Sequence, residues 1–122
     1  MDLIHVDVDG IGVMEGVPDS PFMKSAAEID DVIGACFSTR STRVLLYSSN
    51  IPTAFFDLSS GEAGTVLQKL RNYRIRLAIV IDSNRPAFSS RFGEMVNEEK
   101  KGRDFGIFDA RDAAFEWLRA PR

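Results

Sequence analysis

The stretch FFDLSSGEAGTVLQKLRNYRIRLAIVI, Phe55–Ile81, decides the fold. It opens with two phenylalanines and a polar turn, runs on as an amphipathic helical pattern and ends in the most apolar run of the chain. Ser59 and Glu62 stand at capping-box spacing, which marks a helix start. Ala63, Val66, Leu67, Leu70 and Tyr73 recur at helical spacing as an apolar stripe, with Thr65, Lys69 and Asn72 opposite. Ile75–Ile81 is largely apolar on both faces of an extended chain, as a strand covered by helices on two sides must be. A helix feeding such a strand points to a parallel α/β sheet, with Ile75–Ile81 expected at its centre.

The same pattern repeats on both sides. Upstream, Ser25 and Glu28 again have capping-box spacing, and Ile29, Val32, Ile33, Cys36 and Phe37 form a helical stripe before an uncharged strand, Val44–Tyr47. Downstream, Phe88, Phe92, Met95 and Val96 predict a third helix, which Lys100, Lys101 and Gly102 end. A short strand, Asp104–Phe108, follows. Asp109 and Asp112 then start a fourth helix with Ala113, Ala114, Trp117 and Leu118 as its core face. At the front, Ile4, Val6 and Val8 alternate with polar residues up to Asp9-Gly10, and Ile11 and Val13 resume the alternation. That is a β-hairpin signal, because Gly tolerates the positive φ of a primed turn. The predicted fold is α/β, a single-domain mixed sheet over residues 1–122 in the order ββαβαβαβα, with the hairpin toward one edge.

Composition narrows the function. A chain of 122 residues with 44% hydrophobic and 27% charged content is an ordinary globular domain. A formal net charge of -3 argues against a dedicated nucleic-acid binder, which must neutralise phosphates. Cys36 is the only cysteine, so no internal disulfide is available and a cytoplasmic location fits. Its apolar neighbours predict a buried, inert thiol. No run approaches the roughly 20 apolar residues of a membrane span, so no membrane association is expected.

Phe55-Phe56-Asp57-Leu58, then Gly61, Ala63 and Gly64, then Leu67-Gln68-Lys69 and Asn72-Tyr73 form a pattern that resembles the bacterial family called domain of unknown function 4180. Ala78, Ile79, Val80, Glu98, Gly102, Phe108, Asp109, Ala114, Trp117 and Leu118 extend the likeness, which covers about Ser25 to Leu118. The family's name implies no activity. Relatives tend to carry acidic residues where this chain has Ser48-Ser49 before Asn50-Ile51. The element order and the ending Phe108-Asp109 with Ala114-x-x-Trp117-Leu118 also resemble the STAS group, the sulfate transporter and anti-sigma-factor antagonist domains. That resemblance implies a phosphorylatable serine at a strand-to-helix junction in an Asp-Ser-Ser-Gly-type motif. Asp57-Leu58-Ser59-Ser60-Gly61 is similar, with Leu58 inserted.

Two readings of that junction stand side by side. Asp57, Ser59, Ser60 and Gly61 can cap a helix, or they can bind or carry an anion at its N-terminus. Gln68, Asn72 and Tyr73, with Lys69, Arg74 and Arg76, extend the junction into a polar-to-basic patch, either a solvated face or a binding surface. Gly64 is expected to pack close against the sheet. Phe55 and Phe56, read as extended, point opposite ways, so one is expected in the core and one as a partner contact. That exposed phenylalanine and the Trp117 helix also suggest a homodimer. His5 is the only histidine and is expected to face solvent or a sheet edge. Asp7, Asp9, Asp30 and Asp31 read as scattered surface charge. No metal-ligand set, cofactor loop or catalytic nucleophile with its base is legible, so no metal, cofactor or catalytic residue is assigned. The functional expectation is a non-enzymatic regulatory or protein-interaction module. The alternative is a small-molecule binder or small enzyme at the same junction, using Asp57, Ser60 and Asn72.

Overall fold

The computed structural model of the chain describes residues 3–21, 23–57, 60–82, 87–101 and 103–120. Its elements run β1 (Leu3–Val8), β2 (Ile11–Gly16), α1 (Ile29–Thr39), β3 (Arg43–Tyr47), α2 (Glu62–Asn72), β4 (Arg76–Val80), α3 (Ser90–Lys101), β5 (Phe105–Phe108) and α4 (Arg111–Arg119). The strands stand in the sheet in chain order, β1 to β5. β1 and β2 pair antiparallel through the Asp9-Gly10 turn, whose φ angles of 52° and 81° are both left-handed. Every later pair is parallel. β4 is interior, as its apolar run demands, but β3 holds the middle of the sheet.

Three crossovers that each step one strand the same way must lie on one face if all share the usual right hand. The core obeys this. Val32, Val66, Leu70 and Phe92 of α1 to α3 pack with Val44, Leu46, Leu77 and Ile79. On the opposite face, among the described residues, α4 sets Ala114, Phe115 and Leu118 against Val13, Leu45, Ala78 and Val80. Alternate residues of β3 and β4 therefore serve two separate cores. Each large side chain fully buried in them contributes about 1.5–3 kcal/mol.

The helix predictions fail at particular residues. Phe37 is 60% exposed and Tyr73 is 50% exposed, because α1 ends at the left-handed Arg40 and α2 at Asn72, leaving both rings beyond the sheet. Ala113 is exposed and Trp117 half-buried, while Phe115 takes the core position. Phe55 and Phe56 are both buried, so neither is the exposed phenylalanine expected. They lie in a 3-10 turn, Thr53–Phe56, rather than in extended chain, and both rings reach Phe92 edge-on. Gly64 does not pack against the sheet: a Cβ there would meet no atom within 4 Å.

Arg76 is the largest departure. Expected in a basic surface patch, it is only 3% exposed. Its guanidinium donates to the carbonyls of Trp117, Leu118 and Ala120 at 2.9, 3.0 and 2.7 Å, and to that of Arg103 at 2.8 Å. The plane also lies 4.4 Å from the Trp117 ring centre. Three of those carbonyls end α4, where the helix has no N–H left to offer and its dipole favours a cation.

Candidate functional site

Parallel strands of an open α/β sheet bring their carboxyl ends and following loops to one rim, where ligands and partners usually meet such folds. Here that rim is cross-linked by side chains. Asn50, fully buried, accepts from the Tyr47 N–H at 2.7 Å and donates to the carbonyls of Val17 and Ser20 at 2.7 and 2.9 Å. Its Oδ1 would lie 2.2 Å from a Cβ at position 16, so the chain leaving β2 needs Gly16. Ser48 Oγ donates to one oxygen of Asp82 at 2.9 Å, and Ser49 Oγ donates to the other. The Asp19 N–H reaches Ser49 Oγ at 2.9 Å and Asp82 at 3.1 Å. The exits of β2, β3 and β4 are thereby tied together.

A second cluster lies under α4. The Glu15 carboxylate accepts from Tyr47 Oη at 2.6 Å and from both arms of Arg111. Burial pushes the Glu15 carboxyl up, but the Arg111 and Tyr47 hydrogen bonds and the Arg111 charge outweigh it and hold it below its ordinary value. Burial, and then the Glu15 carboxylate, push the Tyr47 phenol up. The cluster is a charge-paired tie between β2, β3 and α4. Its one local signal in the sequence is a glutamate inside an apolar strand; Tyr47 and Arg111 lie 32 and 96 residues further on.

The junction comes next. Ser59 and Leu58 lie outside the described residues. Ser60 Oγ is 2.6 Å from the Ala54 carbonyl and 2.8 Å from that of Asp57, to which it donates, and it accepts the Glu62 N–H at 3.2 Å. Gly61, not Ser59, is the N-cap of α2, at φ 78°. Its carbonyl accepts the Thr65 N–H at 3.1 Å. Asp57 is exposed at the end of the preceding 3-10 turn.

From Gly61 a stripe runs outward along α2 through Gly64, Thr65, Gln68 and Asn72, at three- and four-residue steps and without a charge. Gln68 Nε2 donates to Asn72 Oδ1 at 3.0 Å. Lys69 pairs with Asp30 of α1 on one flank and Arg71 with Glu99 of α3 on the other. Beyond the stripe Tyr73 meets Phe37 edge to face at 5.3 Å. Asp57 and Ser60 precede the 11-residue α2 and Asn72 ends it, roughly 16 Å along the axis, so those three do not converge on one pocket. Cys36 is buried near Phe37 and its thiol is pushed up to about 11 by burial, which suits an inert thiol.

The fold is thus an open mixed α/β sheet with a cross-linked rim and an uncharged helix face ending in an exposed aromatic pair. The family model described as domain of unknown function (DUF4180) matches residues 8–118, and the chain belongs to that family. A comparison with curated proteins gives no match. Among the described residues no helix is long and apolar enough to cross a membrane, and no group of three or more His, Cys, Asp or Glu is placed to hold a metal ion.

Proposed function

We propose that the protein is a non-enzymatic regulatory or protein-interaction module of STAS-like build. It engages its partner through the outer face of α2, from the Asp57–Gly61 junction to Tyr73. The observation that carries this reading is the Phe37–Tyr73 pair, two large rings left in water and fixed against each other. Water-exposed aromatics on a rigid frame are the kind of anchor that dominates protein interfaces. Gly34 and Gly64 support it. Both are exposed helical glycines whose Cβ would meet nothing, so each weakens its helix by about 1 kcal/mol with no packing return inside the monomer. A partner lying close on the backbone is a reason to keep them. The element order and the serine at the start of α2 support the STAS-like part and make Ser60 the candidate modification site.

The test is capture from native lysate with the immobilised chain, followed by mass spectrometry. The double variant Phe37→Ser, Tyr73→Ser is expected to melt near the parent and to lose the specific partner. Parent and variant retaining the same proteins would end this reading.

A further inference from the structure

We infer that the carboxyl ends of β4 and β5 form a second, independent site for a small molecule with an apolar body and an N–H donor. The chain leaving β4 turns into α3 on one face of the sheet, and the chain leaving β5 turns into α4 on the other. Adjacent connections that part to opposite faces open a crevice outside the strand ends, and in open α/β sheets that is where ligands bind.

A cavity of about 420 Å³ lies there, bordered by Ile81 after β4 and by Phe108 and Asp109 at the end of β5. That volume falls within the roughly 300–1,000 Å³ of small-molecule sites. Phe88, Val96 and Ile107 give it apolar walls, and Asn97 and Asp109 are its polar groups. Gly93 completes the α3 side. A Cβ at Gly93 would touch no atom within 4 Å, so open space replaces a side chain in mid-helix. An apolar body therefore fits between Phe88 and Ile107, and a donor fits Asn97 Oδ1 and the Asp109 carboxylate. A carboxylate has roughly four lone-pair directions, so Asp109 can accept from a ligand beside any bond it makes within the protein. The Asp109 carboxylate, the one acidic group among the described residues bordering the cavity, favours a cationic head.

Tryptamine and indole-3-propionate, an apolar ring with a cationic and with an anionic tail, are the probes. Titration followed by ¹⁵N amide shifts is expected to move Gly93, Asn97 and Asp109 with tryptamine, at least fivefold more tightly than with indole-3-propionate. Gly93→Leu fills the cavity from α3 and is expected to fold and to abolish the shifts. Val96→Phe fills the same space should that variant not fold. Asp109→Asn is expected to erase the preference for tryptamine. The Phe37→Ser, Tyr73→Ser variant is expected to bind tryptamine as the parent does, which separates this site from the partner surface. Absence of shifts at these residues, equal binding of the two probes, or undiminished binding by a folded cavity-filling variant would overturn the proposal.

Discussion

Arg111 grips the carboxylate of Glu15 with both arms of its guanidinium, Nε to Oε2 at 2.7 Å and Nη2 to Oε1 at 2.9 Å, across 96 residues of chain. Glu15 is 8% exposed, and the Arg111 plane also lies 4.4 Å from the Phe115 ring centre. Arg111→Met is expected to cost about 1–3 kcal/mol, because it leaves a buried carboxylate with the Tyr47 hydroxyl as its remaining strong donor. The pH dependence carries a sign. A carboxyl held low in the folded state adds stability above its unfolded value of about 4.3, and that stability is lost as pH falls through the folded value. In the variant burial is no longer outweighed, the folded value rises, and stability is lost as pH rises instead. The gap in urea midpoint between parent and variant is therefore expected to widen as pH rises from 3 to 7.

Arg76 holds the end of α4 through carbonyls that only a planar fork can reach together. Arg76→Met is expected to destabilise by about 1–3 kcal/mol, since the part-buried Arg103, Trp117 and Ala120 carbonyls lose a donor while Leu118 keeps that of Arg43. Arg76→Lys is expected to recover less than half of that, as a single ammonium cannot span the same acceptors or stack on Trp117. Tryptophan fluorescence during urea unfolding would report both losses directly. A lysine variant as stable as the parent would show that charge alone suffices.

Gly64→Ala is expected to raise stability by about 1 kcal/mol, because the Cβ meets open space and the helix gains propensity. Gly34→Ala is expected to do the same, and the two should add, as they lie on different helices. Calorimetry of the single and double variants checks this. Gly64→Arg, equally acceptable to the fold, is expected to block partner capture.

Ser60→Ala is expected to cost about 0.5–1.5 kcal/mol through the lost Glu62 N–H acceptor and the lost donor to the Ala54 and Asp57 carbonyls. Ser60→Asp restores the acceptor but sets a carboxylate against those two carbonyls, so its melting point is expected close to that of the alanine variant. A difference in captured partners at matched stability would mark the position as a switch. Identical partners, with no phosphoserine in protein isolated from its native cell, would leave it a cap.

The hairpin, the four helices and the alternation of apolar strands were legible because each rests on local spacing. Asp9-Gly10 carries its turn in two residues, and Ile29, Val32, Ile33 and Cys36 carry their buried face in two helical turns. What escaped depends on where an element stops or on what arrives from far along the chain. Phe37 and Tyr73 obey the stripe but overrun the sheet. Phe55 and Phe56 change sides because a 3-10 turn replaces extended chain. Arg76 opens a strand, where a charge reads as an edge, and its acceptors come 27 to 44 residues later. At the candidate site, Ser60 at a helix start was readable. The crevice at Gly93 and Asp109 was not, because it exists only once α3 and α4 part to opposite faces.

The strict chain order of the strands also bears on assembly during synthesis. Each parallel strand can join the edge laid down just before it, so the sheet is expected to grow as a vector along the emerging polypeptide. The first three helices clothe one side in step with that growth. The other side stays bare until α4 emerges, with Val13, Leu45, Ala78 and Val80 uncovered and the Arg76 guanidinium waiting among them. A chain halted after β5 would therefore present a complete sheet with a raw apolar back. It should bind a hydrophobic dye and fall quickly to protease where the intact chain does neither. The terminal helix thus works as a quality mark, distinguishing finished molecules from interrupted ones by a single surface.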